Sequence, residues 1–230
     1  MNTPKIFAAS ILLGTLLFLS SCKKEDSSDV NQDKIYAEYE LYYDANQNKT
    51  YASAVFKFSN ALGTNLQLTA PSYIRFNGDT IPYAPVFAYY RKEYAGQINS
   101  GTFVFSTTNG TLYTNTVSLP SSISNPAIDT ISKSNSFTYP WTGNAVATNE
   151  SVGLTIAHTA NAVYFKYFLQ LTVGSNDLVL GAADLNYLPV GPATCSIERT
   201  KETSASATTS AGGRARGKYR ALNTNTYIKN

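Results

Sequence analysis

The sequence predicts an all-β protein, two β-sandwich segments behind a cleavable leader. Three observations carry this. Aromatic side chains are abundant, with 17 Tyr and 11 Phe in 230 residues, and such rings suit the half-buried surface of a sheet. Apolar residues recur with a period of two along most of the chain, the signature of strands with one covered face. Asn-Gly dipeptides fall between alternating runs, where both residues accept the positive φ of a tight hairpin turn. The chain beyond the leader holds no sustained helical period.

The leader comes first. One basic residue, Lys5, precedes the apolar run Ile6–Leu19. The run is about 14 residues, too short to span a hydrocarbon core of roughly 30 Å as a helix, and it has the form of an export signal. Leu19-Ser20-Ser21-Cys22 follows. This resembles the lipobox of bacterial lipoproteins, which implies removal of residues 1–21 and a lipid, palmitate included, on Cys22. Each buried CH₂ of such an anchor contributes about 0.8 kcal/mol. Lys23-Lys24-Glu25-Asp26-Ser27-Ser28-Asp29 is a polar tether, placed within residues 22–33. It resembles the charged surface-export signal of Bacteroidota lipoproteins, although two lysines come before the acids. The resemblance implies attachment to the outer membrane, facing the cell exterior.

The first segment, residues 34–118, opens on Ile35, Ala37, Tyr39, Leu41 and Tyr43, alternating with Tyr36, Glu38, Glu40 and Tyr42. Asp44–Asn48 makes a turn, and the next strand sets Ala52, Ala54, Phe56 and Phe58 on one face. Asn77-Gly78 and Asn109-Gly110 each predict a two-residue hairpin. Two prolines and four serines in 118–126 mark a boundary, with the linker placed at 119–126. The second segment, 127–230, resumes with strands at 136–142, 151–158 and 163–173. In the last, Val163, Phe165, Tyr167, Leu169, Leu171 and Val173 share one apolar face. Two further strands are expected around 194–202 and 214–222. Each segment has an immunoglobulin-like size, without the Cys…Trp…Cys signature of antibody domains.

The runs Tyr42–Asn46, Thr50–Phe56, Ile74–Gly78 and Thr111–Val117 resemble the first half of uncharacterised Bacteroidota outer-membrane lipoproteins with tandem immunoglobulin-like domains. Leu185–Gly191, Ile197-Glu-Arg199 and Gly212–Tyr219 are similar to the second half. These motifs are turns, strand ends and core positions. The resemblance therefore implies a fold and carries over no activity.

Charge and chemistry bound the function. The net charge of +3 falls to about +2 without Lys5 and gives no electrostatic footprint for nucleic acid. With Cys22 lipidated, Cys195 has no partner for a disulfide and reads as a small core residue. His158 is the only histidine, so no usual zinc site can be assembled, and no Gly-x-Ser-x-Gly elbow accompanies it. Asp44, Asn46 and Asn48 imitate a calcium loop, but Lys49 stands where glycine is needed. The sequence thus points to a non-enzyme that uses no cofactor or metal. Its role is a binding or adhesion module, with a glycan or an envelope protein as candidate partner and the membrane reached through Cys22. The alternatives are an accessory subunit of an envelope complex and a carboxylate-dependent polysaccharide hydrolase.

Two surfaces are candidates for ligand contact. One is Tyr89 and Tyr90, within an aromatic cluster formed with Tyr83, Phe87 and Tyr94. The other is the basic run Arg214, Arg216, Lys218 and Arg220, which shares one strand face. A hairpin pairing Glu202 with Arg214 and Glu198 with Lys218 would leave Arg216 and Arg220 the less compensated charges. Asp79-Thr80-Ile81 and Asp129-Thr130-Ile131 resemble the short O-glycosylation sequon of Bacteroidota exported proteins.

Overall fold

A computed structural model describes residues 24–230. Cys22 and the expected leader lie outside the described residues. The protein is all-β: apart from single 3-10 turns, one five-residue helix, Ala182–Asn186, is the exception among the described residues.

One twelve-stranded sheet runs through both halves of the chain. Its path begins at Lys24–Asp26 and passes through Asn65–Gln67, Lys49–Phe58 and Ile35–Asp44. It continues through Gly213–Arg220, Gly191–Ser204 and Glu150–His158, and ends at Phe165–Gln170. Tyr89–Ala95 pairs with Lys49–Phe58 on a branch, and Thr224–Lys229 pairs with Gly191–Ser204 on another. The joint between the halves is a parallel ladder, with Gly213–Arg220 against residues 37–44.

The inner face of this sheet carries two cores. In the first, Ile35, Tyr39, Leu41 and Phe56 meet Ile74, Phe76, Phe103 and Phe105 of a four-stranded sheet. In the second, Val152, Leu154, Ile156 and Ile197 meet Tyr139, Trp141, Leu178 and Leu185. The alternation expected for 35–43 is observed, with its apolar residues buried. The 119–126 segment is packed: Leu119 lies against the first core and Ile123 within the second. It crosses the sheet at Gly217, where a Cβ would stand 2.0 Å from the Ser118 carbonyl oxygen. Only glycine permits that approach.

Three local expectations change. Asn77-Gly78 forms the two-residue turn, with φ of 48° and 89° and Phe76 opposite Asp79. Asn109-Gly110 does not. Its ladder ends at Ser106 and Leu112, the Thr107 N–H donates to the Thr111 carbonyl, and of the two only Gly110 has positive φ. The loop is wider because Thr107 and Thr111 bond across it. The apolar face of 163–173 is outside the core, not in it. Phe165, Tyr167 and Leu169 are 54%, 51% and 50% exposed, while Phe168 on the other side is buried. Both faces of this strand hold rings, and the covering layer lies on the Phe168 side.

The third change is the register of the C-terminal hairpin. Glu202 stands opposite Arg216 and Glu198 opposite Arg220, two residues from the expected pairing. The hairpin loop closes earlier because Ala205 donates to the Gly213 carbonyl. Asn115 of the first half pins the loop as well, accepting from the Ala207 N–H at 2.9 Å and donating to the Ala207 carbonyl at 2.8 Å. A two-residue shift keeps every side chain on its face. The expected partners therefore still meet, now diagonally: Arg214 with Glu202 at 3.5 Å and Lys218 with Glu198 at 3.0 Å.

Candidate functional site

The outer face of the large sheet brings the basic run against acids from the first half. Even-numbered residues of Gly213–Arg220 project outward, as do those of Ile35–Asp44. The parallel register sets Arg214 beside Glu38, Arg216 beside Glu40, Lys218 beside Tyr42 and Arg220 beside Asp44. Arg214 donates to Glu38 at 2.7 Å. Arg216 donates to Glu40 at 3.2 Å and to Glu202 at 2.6 and 2.8 Å. Arg220 reaches Asp44 at 3.7 Å and donates to Ser196 Oγ at 2.9 Å. Part-exposed pairs of this kind contribute about 0.2–1 kcal/mol each, so together they fix the joint more than they stabilise it. Burial works to raise the Glu38 carboxyl, but hydrogen bonds from Arg214 and Lys57 outweigh it and hold Glu38 below its ordinary 4.5.

Beside this ladder lies a row of rings and cations. Lys218 sits 5.5 Å above the Tyr42 ring, and Tyr42 stacks on Tyr51 with centroids 5.7 Å apart and planes 22° apart. The Arg91 guanidinium covers Tyr51 at 3.9 Å. Arg91 Nη1 donates to the Tyr89 hydroxyl at 3.2 Å, and Phe87 lies 5.7 Å beyond Tyr89. Cross-strand pairing explains the row, since Tyr42 faces Tyr51 and Ser53 faces Arg91. Burial pushes the Tyr42 hydroxyl up to about 12, so it stays protonated and donates to Asp44 at 3.3 Å.

Ladder and row together line a trough of about 510 Å³. Its cations differ in one respect. Arg214, Arg216, Lys218 and Arg220 each have a carboxylate partner. Arg91 lines the trough with no carboxylate in ion-pair reach among the described residues, and its Nε is buried without an acceptor. Arg91 is a permanent cation whose planar fork accepts a carboxylate or phosphate.

The residues singled out in the sequence divide. Tyr89 lines the trough and is half-buried. Tyr90 does not: it is 6% exposed, packs on Phe56, and its hydroxyl accepts from the Leu68 N–H at 2.6 Å. Adjacent strand residues point to opposite faces, and Tyr90 took the inner one. Arg216 and Arg220 line the trough but are compensated by acids from outside the hairpin, Glu40 and Asp44. Arg91, Tyr51 and Tyr42 belong to the site and were missed. Their signal was parity: Tyr42 shares the outward phase of Glu38 and Glu40, and Arg91 follows Tyr90 on the alternate face.

No protein-family model and no curated protein matches the chain. The remaining candidates are structural by position. Cys195 is buried, and burial pushes its thiol up to about 11, far from a reactive thiolate. Asp44 organises its turn, accepting from the Asn46 N–H at 2.9 Å. His158 ends its strand against Gly191. Thr80 and Thr130 of the short sequons are exposed.

Proposed function

We propose that the protein is a non-enzymatic binding module for an acidic glycan, held on the outer face of the outer membrane by a lipid on Cys22. The observation that carries the reading is Arg91: among the described residues it is the trough cation without a carboxylate partner, and it lies on the Tyr51 face and beside Tyr89. The half-buried Tyr89 ring offers flat apolar surface to a sugar, and a guanidinium fork receives a carboxylate. The neighbouring ion pairs supply further donors and acceptors at fixed positions. We read the two halves as immunoglobulin-like units whose shared sheet provides one long recognition face.

Binding suits the trough better than hydrolysis. A glycosidase needs one carboxylic acid kept protonated near neutral pH. Glu38 is displaced the opposite way, and Glu40 and Glu202 are engaged by Arg216.

Calorimetric titration with acidic and neutral oligosaccharides tests this. Oligogalacturonides should bind and their methyl esters should not. Arg91→Ala should weaken binding by roughly tenfold or more, the loss of one charge-assisted pair. Equal affinity for acid and ester, or for wild type and variant, would sink the glycan reading. The anchor has its own test. Cys22→Ala should lose labelling by a palmitate analogue, and protease added to intact cells should cleave the wild-type protein. Labelling that survives in the variant rejects the lipoprotein reading. Protection from protease rejects surface exposure.

A further inference from the structure

We propose that the Phe165–Gln170 strand is a self-association edge, pairing antiparallel with the same strand of a second copy to make one continuous sheet. The inference is independent of the glycan trough.

The strand ends the path of the large sheet and, among the described residues, has one hydrogen-bonded neighbour, Glu150–His158. The bonding phase can be read from that ladder. The His158 N–H donates to the Tyr164 carbonyl, and the register keeps His158 in phase with Ile156, Leu154 and Val152, which stand opposite Lys166, Phe168 and Gln170. Hydrogen-bonded and non-bonded pairs alternate in an antiparallel ladder. Lys166, Phe168 and Gln170 therefore bond inward, and the N–H and C=O groups of Phe165, Tyr167 and Leu169 point off the sheet. These are the same residues whose side chains stand half in solvent. Free backbone groups and free apolar surface coincide at three alternate positions.

Sheet edges are ordinarily blunted by charge, proline, a bulge or brevity. Of these only a charge is present, and it is engaged. The strand is six residues long, contains no proline, and has no positive-φ residue. Its one charge, Lys166, lies on the covered side and pairs with Asp184 at 3.1 Å. Leu171 and Val173 extend the exposed surface beyond the strand.

A second copy fits this edge because the edge is self-complementary. A two-fold axis through Tyr167 sets Tyr167 opposite its own counterpart and Phe165 opposite Leu169, so all outward groups bond and apolar side chains meet apolar side chains. Each Lys166 then lies opposite a Phe168, away from the other lysine. Shifting the axis to Lys166 would oppose the two lysines. The other free ends of the sheet among the described residues are poorer partners: Lys24–Asp26 is three residues long and charged, and the branch ends Tyr83–Ala84 and Thr130–Ser132 are two and three residues long. That favours a closed pair over an open fibre. Three half-exposed side chains a side make a small interface, so the pair is weak and concentration-dependent.

Sedimentation velocity across a concentration series, in a Cys22→Ser background, tests the proposal. The protein should pass from monomer to dimer as concentration rises, and Leu169→Lys should keep it monomeric with an unchanged melting temperature. Tyr167→Cys should cross-link to itself under oxidation, since directly opposed Cα atoms about 5.5 Å apart lie within disulfide reach. Val179→Cys, exposed but off the edge, should not. A protein that stays monomeric throughout would overturn the proposal. So would a dimer that persists in Leu169→Lys. Monomer that instead binds neutral phosphatidylcholine vesicles through Leu169 would assign the edge to a lipid surface and also overturn it.

Discussion

The Ile35–Asp44 and Phe165–Gln170 strands carry the same alternation of apolar residues and put it to opposite uses. Ile35, Tyr39 and Leu41 are closed between two sheets, whereas Phe165, Tyr167 and Leu169 meet solvent. The difference lies in position. Ile35–Asp44 has a hydrogen-bonded strand on each side and a four-stranded sheet over its apolar face. Phe165–Gln170 is terminal, and its covering layer lies over Phe168, on the other side. Alternation specifies that one face is apolar. Which face is covered depends on where the next layer lies.

Breaking the core should separate the two strands. The largest loss is expected between them in the sheet, at Arg199, which is 0% exposed, donates to Glu150 at 3.3 Å, and bonds the Asn144 carbonyl and Ser121. Arg199→Ala leaves Glu150 without its buried partner and should cost about 3–5 kcal/mol in urea unfolding. Leu41→Ala, within the closed strand, should cost about 2–5 kcal/mol. Leu169→Ala, at the equivalent phase of the terminal strand, should stay within about 0.5 kcal/mol. Similar costs at Leu41 and Leu169 would mean that the terminal strand is covered after all.

A gentler test uses the outer side of the central strand. Glu38 titrates below 4.5 in the folded protein, so its charge stabilises above the ordinary carboxylate range and ceases to as pH falls through the lowered value. Wild type should be more stable than Glu38→Gln at pH 7, with the gap closing below about pH 4.5. A gap that is constant with pH would show that the ion pairs do not contribute.

Local pattern revealed most strands, the Asn77-Gly78 turn, and the shared face of the basic run. Distant pairing was hidden. Nothing in 213–220 indicates that its acids come from 38–44, because ion pairs are short-ranged in space and indifferent to sequence separation. The hairpin register slipped by two for the same reason: Asn115 and Glu38, both from the first half, fix it from outside. Arg199 was legible by phase, sharing the parity of Cys195 and Ile197. Its burial depends on carbonyls at 144 and 145, which no pattern announces. Arg91 stands out only once its neighbours are known to be paired.

The parallel joint also sets a timetable. Glu38 and Arg214 are 176 residues apart, and a chain made amino-terminus first displays Ile35–Asp44 long before Gly213–Arg220 exists. Until then that strand has one open side. Closing so long a loop is entropically slow, and the wait exposes an unpaired edge to other chains. Refolding of the first half should therefore pause in a state that lacks its last strand and the Ala215 side chain that completes its core, and the arrival of the carboxy-terminal hairpin should be the event that commits the molecule.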